Sequence, residues 1–227
     1  KDSIEQLESI LSDEIKVKEI IAQELCYISE KYGKPRKTML IYKEDIKNVD
    51  VVEEIPEYPV HLFLTKNHYF KKITPQSLRM NSEQKLKDGD EILQSIEANN
   101  TFDLLFFTDK HQVYKAKVSE FQDVKASVLG EFIPAKLGIE PDESILYMVA
   151  TKDYSGNILL FFENGKVAKV TLSAYKTKTN RKKLVNAFSD KSKVVAIEYL
   201  NEDREFLLTS SSGRMLILST NLLQVKS

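Results

Sequence analysis

The feature that most constrains this chain is a hairpin written four times. Residues 62–78 ("LFLTKNHYFKKITPQSL"), 104–121 ("LLFFTDKHQVYKAKVSEF"), 158–175 ("ILLFFENGKVAKVTLSAY") and 206–223 ("FLLTSSSGRMLILSTNLL") share one plan. Each has an apolar run, a turn, a basic residue soon after the turn, and a Ser or Thr at the outgoing corner. Aligning the turns at His68, His111, Gly165 and Gly213 gives spacings of 43, 54 and 48 residues. A third apolar run precedes each of the last three hairpins: "EILQSIEA" from Glu91, "SILYMVAT" from Ser144 and "KVVAIEYL" from Lys193. Each unit therefore reads as three strands and a longer connection.

Strand repeats with a period of about 40 to 50 residues are the signature of propeller blades. The physical reason is burial, because one small sheet cannot cover both of its apolar faces and stacked sheets can. The expected fold is mainly β, a propeller or pinwheel of repeated antiparallel blades preceded by an N-terminal α-helical segment. A β-sandwich is the alternative, but it does not require the same turn, cation and corner in every hairpin. With no Trp anywhere and no Gly-His or Gly-Gly pairs, the WD40 and kelch classes are excluded.

Residues 2–33 have helical periodicity. Ile4, Leu7, Ile10 and Leu11 form one stripe, Ser12 and Asp13 offer a cap and a break, and Val17, Ile20, Ile21, Leu25 and Ile28 resume the stripe. The end is expected at Tyr32-Gly33, with Gly33 in a left-handed cap and Pro35 stopping any continuation. A stripe of this length needs a partner, either the following domain or a longer helical arm. The period becomes strand-like from Met39, so the expected domains are 1–38 and 39–227.

Net charge divides along the chain. Residues 1–57 hold 9 basic against 14 acidic side chains, and residues 58–227 hold 24 against 20. Residues 165–193 carry nine cations against Asp190 alone, a local excess of +8. Such an excess suits a polyanion-binding surface or a solvated loop, and the segment by itself leaves both open. The single cysteine, Cys26, cannot form an internal disulfide, and with three histidines a structural zinc cluster is not expected. No apolar run approaches the roughly 20 residues that span a bilayer, and the charged start is not a signal peptide. The expected location is the cytoplasm. No glycine-rich phosphate loop, His-paired nucleophile or metal cluster is written in the chain, so no catalytic residue is assigned.

Two features together carry a resemblance. The helix end "ELCYISEKYGKPRKTMLI" (24–41) resembles the junction in bacterial type IIA topoisomerase A subunits, where a coiled-coil arm ends in Tyr-Gly-Asp-Pro-Arg-Arg-Thr; here Lys34 replaces the acidic residue. The repeats that follow resemble the C-terminal β-pinwheel of the DNA gyrase and topoisomerase IV A subunits. The resemblance covers nearly the whole chain. It implies a non-catalytic domain that binds and bends duplex DNA, within an ATP- and Mg-dependent enzyme whose catalytic tyrosine lies upstream. It also implies, as partners, an ATPase B subunit together with the remainder of the A subunit, and no cofactor in this segment.

The family's pinwheel has about five or six blades, so four hairpins suggest a C-terminal piece that ends early. Gyrase A subunits carry the heptapeptide Gln-Arg-Arg-Gly-Gly-Lys-Gly in the first long connection. The matching segment here, "LRMNSEQKLKDGDEI" (78–92), has neither Arg-Arg nor Gly-Gly. Lys85, Lys87 and Gly89 are a remnant of it or a solvated turn, and the chain looks more like a topoisomerase IV subunit or a gyrase-like paralogue.

DNA phosphates are spaced along a rod, so a wrapping protein needs cations distributed around a rim. By the turn alignment one basic residue per hairpin falls at an equivalent position: Lys72, Lys115, Lys169 and, less well, Arg214, with Ile217 standing where the fourth lysine would be. Lys66, Lys71, Lys110, Lys117 and Lys166 lie near them in sequence, Arg181, Lys182 and Lys183 form a cluster, and Lys85 lies in the first connection. These are the expected DNA contacts. The alternative is a protein-binding propeller whose lysines serve solubility.

Overall fold

A computed structural model describes residues 2–34, 38, 55–81, 83–177 and 181–226. The chain divides into two compact units, Lys1–Glu53 and Glu54–Ser227. The junction residues 35–37 and 39–41, which carry part of the resemblance, lie outside the described residues.

The first unit holds α1 (Asp2–Leu11) and α2 (Glu14–Tyr32). They break where the sequence places a cap: Asp13 is extended and its carboxylate accepts from the Ile15 N–H at 3.0 Å. Their apolar stripe, including Leu7, Leu11, Ile21, Leu25 and Ile28, stays exposed. The expected left-handed cap is not found. Gly33 has φ −60° and ψ 132°, and what requires glycine is space, because a Cβ would stand 2.1 Å from the Ser29 carbonyl oxygen. No helix among the described residues is long and apolar enough to cross a membrane.

The second unit opens with strands β1 (Pro59–Thr65) and β2 (Tyr69–Ile73), helix α3 (Pro75–Met80), and strands β3 (Ile92–Asn99), β4 (Asp103–Thr108) and β5 (Val113–Lys117). Strand β6 (Glu131–Phe132), helix α4 (Ile133–Leu137) and strands β7 (Ile145–Thr151), β8 (Asn157–Phe162), β9 (Val167–Thr171) and β10 (Lys183–Leu184) follow. Strands β11 (Val194–Leu200), β12 (Glu205–Thr209), β13 (Met215–Ser219) and β14 (Val225–Lys226) complete it. The four expected hairpins are β1–β2, β4–β5, β8–β9 and β12–β13. All four aligned turn residues lie in the left-handed region, with φ of 65°, 59°, 77° and 78° at His68, His111, Gly165 and Gly213. Each outgoing strand then runs into a short helical turn at the Ser/Thr corner.

Sheet order corrects the grouping read from the sequence. The third run pairs with the hairpin before it, not the one after: β3 lies on β1 (Leu62↔Ile96), β7 on β4 (Leu105↔Val149) and β11 on β8 (Leu160↔Ile197). A fourth, two-residue strand returns from beyond the next hairpin to the opposite edge. The sheets are thus β3-β1-β2-β6, β10-β5-β4-β7 and β11-β8-β9-β14, followed by the bare pair β12-β13.

The sheets stack face to face. In β4, Leu104 and Phe106 pack toward Leu62, Leu64 and Phe70 of the first sheet, while Leu105 and Phe107 pack toward Ile158, Leu160 and Phe162 of the third. That is why the incoming strands are continuous apolar runs and not alternating ones. Leu62, Leu105 and Leu159, equivalent by register, are each 0% exposed. Their counterpart Leu207 in the last hairpin is 62% exposed, beside exposed Met215 and Ile217.

His68 joins the first two sheets. Its carbonyl accepts from the Ile133 N–H at 3.1 Å, and its Nε2 accepts from the Ile145 N–H at 3.2 Å. Burial pushes the imidazole below its usual 6.5, against the opposing pull of Asp109 and Asp90. The unfolded chain therefore takes up this proton at a higher pH than the folded one. Stability should be intact above about pH 6.5 and fall as pH drops toward the folded value. Urea midpoints at pH 7.5 and 5.5 should show this fall, and His68→Asn, tolerated at positive φ, should reduce the difference between them.

Candidate nucleic-acid interface

The repeat lysines correct an expectation about position. Lys72 and Lys169 are 3% and 7% exposed and point into the structure, not onto an outer rim. The Lys72 ammonium lies 3.0 Å from the Asp123 carboxylate and donates to Asn100 Oδ1 at 3.0 Å. Lys169 meets Asp203 at 2.6 Å and the Thr220 carbonyl at 3.1 Å. Lys71, 1% exposed, donates to the Lys85 and Ala126 carbonyls at 2.6 and 3.2 Å. The physical reason is the following connection, which folds over the outgoing strand and carries acceptors that each long side chain reaches. These three lysines are ties between segments and are withdrawn from any surface.

Lys115 occupies the same position in the second sheet but is only half-buried. It donates to the Tyr175 carbonyl at 3.3 Å and Thr177 Oγ1 at 3.1 Å, with its ammonium 5.2 Å from the Tyr154 ring centroid. Burial pushes this ammonium below its ordinary range, with Asp103 pulling the other way. The Tyr154 hydroxyl donates to Asp103 at 3.0 Å.

The other expected contacts lie at the surface. Lys117, Lys166, Arg181, Lys182, Lys183 and Arg214 are exposed. Lys66 and Lys110 are exposed but ion-paired, to Glu91 at 3.0 Å and Asp142 at 2.9 Å. Lys183 leans on the Tyr114 ring at 5.1 Å, and the Tyr114 hydrogen bond holds its ammonium above the usual range. Lys85 is exposed while its backbone N–H donates to Ala126. Around it, Gln84 and the Lys85 carbonyl receive Lys71, and Asp90 accepts from the Asn67 N–H at 2.9 Å. The segment corresponding to the heptapeptide is thus fastened to the first sheet.

The structure brings part of the set together. Lys115, Lys117, Arg181 and Lys182 line one cleft of about 300 Å³, joined by Lys176 and Tyr154, with Asp103 and Glu120 also on its wall. Tyr154 and Thr177 were not among the expected residues. Nothing in their identities signals a site, and only the register of neighbouring sheets places them there.

No family model matches the chain. Among curated proteins it is 29% identical over 217 residues to the A subunit of DNA topoisomerase 4 from Bacillus subtilis, covering 92% of this chain. It is 25% identical over 227 residues to the DNA gyrase A subunit of Borreliella burgdorferi, covering 96%. Among solved structures, the C-terminal domain of DNA topoisomerase IV matches with a TM-score of 0.66 and 25% identity, over 76% of this chain and 55% of that one. Over nearly its whole length this chain is similar to the A subunits of DNA topoisomerase 4 and DNA gyrase. It spans 27% and 28% of the length of the two A subunits named. The E. coli ParC C-terminal domain, at 16% identity and TM-score 0.56 over 72% of this chain and 65% of that one, shares the fold.

If the buried lysines are ties, removing a partner should cost stability. Asp123→Ala leaves the Lys72 ammonium inside the protein short of its carboxylate, and should lower unfolding free energy by about 2–3 kcal/mol. Lys117→Ala, at the surface, should stay within about 0.5 kcal/mol. Equal effects in urea titration would return Lys72 to the surface set.

Proposed function

We propose that this chain is the non-catalytic, DNA-binding and DNA-bending C-terminal part of a type IIA topoisomerase A subunit. In this reading residues 1–38 end a coiled-coil arm, and residues 39–227 form a β-pinwheel whose blades are the stacked sheets. The observation that carries the reading is the likeness, in sequence and fold together, to the C-terminal domain of DNA topoisomerase IV. Duplex DNA, an ATPase B subunit, plus the rest of the A subunit, are the partners it implies.

The charge distribution supports DNA as the ligand. With Lys71, Lys72 and Lys169 withdrawn, the exposed cations concentrate around the cleft beside β5 and along Arg181, Lys182 and Lys183. Phosphate contacts of this kind bind without reading sequence. The fastened segment around Lys85 and Lys87 lacks the Arg-Arg and Gly-Gly of the gyrase heptapeptide, which favours a topoisomerase IV-like parent. DNA then touches one arc of the domain without encircling it.

Duplex binding should weaken steeply with salt, with a log–log slope of about −0.9 per phosphate neutralised. Changing Arg181, Lys182 and Lys183 together to Glu should weaken binding equally across sequences and flatten that slope. Unchanged binding would move the site elsewhere.

Bending a short duplex through a large angle costs on the order of 1–6 kcal/mol, which a single arc of contacts offsets only in part. Resealing a nicked plasmid in the presence of the chain should therefore shift linking number little. A large positive, dose-dependent shift would place the parent among supercoiling gyrases.

A further inference from the structure

Comparing equivalent positions across sheets singles out Lys115. Lys72, Lys115 and Lys169 each stand four residues after their turn and pair with a buried leucine on the incoming strand. Lys72 is neutralised by Asp123, twelve residues after the following turn residue, His111. Lys169 is neutralised by Asp203. In the second sheet the position equivalent to Asp123, twelve residues after Gly165, is Thr177. Thr177 does meet Lys115, but through a neutral hydroxyl. Among the described residues no carboxylate forms an ion pair with Lys115, and this lysine is the one that borders an open cleft.

We propose that the cleft seats one phosphate group, whose oxygens give Lys115 the negative charge that Asp123 and Asp203 give its equivalents. The surroundings suit this. Lys117, Lys176, Arg181 and Lys182 also line the cleft, and a guanidinium presents a planar fork that matches phosphate oxygens. The Tyr154 ring underlies two ammonium groups, with Lys115 at 5.2 Å and Lys176 at 5.9 Å, which keeps them side by side. The wall also holds two carboxylates, Asp103, which accepts from the Tyr154 hydroxyl, and Glu120, and five cations against these two leave the cleft with a positive excess. Burial disfavours the Lys115 ammonium and Asp103 offsets this only in part, so an arriving anion relieves a cost already present in the folded protein. The source of the phosphate rests on the DNA reading above; the seat itself does not.

Thr177→Asp tests the seat by building the first sheet's arrangement into the second. The new carboxylate should pair with Lys115, leave thermal stability unchanged or higher, and close the seat. Duplex affinity should fall about 5- to 10-fold and the log–log salt slope should shrink by about 0.9, the loss of one phosphate contact. Thr177→Val, which adds no charge, should bind nearly as wild type does. In parallel, titrating the whole chain with inorganic pyrophosphate should move the amide resonances of Lys115, Lys176 and Lys182 in wild type but not in Thr177→Asp. Pyrophosphate shifts without duplex binding would uphold the seat and remove the DNA reading. Duplex binding with Thr177→Asp matching wild type in both measurements would overturn the seat and leave the DNA reading standing.

Discussion

Every sheet in this unit is apolar on both faces, and the rest of the structure depends on that. A strand such as β4 sends Leu104 and Phe106 one way and Leu105 and Phe107 the other, all at 0% exposure. Burying a single leucine or phenylalanine contributes about 1.5–3 kcal/mol, so a sheet with one such face in water forgoes several of these at once. Stacking is the arrangement that covers both faces, and it determines where polar groups go. Lysines on the outgoing strands cannot escape between the layers, and they are accepted there because the next connection brings carboxylates and carbonyls to them.

That coupling explains which parts of the fold were legible in the sequence. The hairpins and their turns were legible because a positive φ is a local demand, met by Gly165 and Gly213 directly and by His68 and His111 with backbone support from Ile133 and Ala187. The third strand was visible as a run, but its partner was not, since alternation along β3 does not say on which hairpin it lies. The two-residue strands β6, β10 and β14 are too short to leave a pattern. At the helix end, glycine was rightly expected but for the wrong reason, a crowded carbonyl having taken the place of a left-handed turn.

The candidate site was legible only as a population of cations. Periodicity identified Lys72, Lys115 and Lys169 as equivalent, and they are. It could not say that Lys72 and Lys169 are buried and Lys115 half-buried, because the groups they meet, Asp123, Asp203 and Thr177, lie 34 to 62 residues away. Arg181, Lys182 and Lys183, expected as a cluster of charge, are exposed.

The returning strands have a consequence for the order of events during synthesis. Strand β6 closes the edge of the first sheet, yet it lies beyond the whole β4–β5 hairpin in the chain; β10 and β14 stand in the same relation to the sheets they complete. No sheet can finish until its successor has begun. A ribosome releasing this chain therefore always exposes one hairpin waiting for a strand not yet made, and each layer is latched by the one after it, so that pulling on the C-terminal end would undo the layers in reverse order of their making.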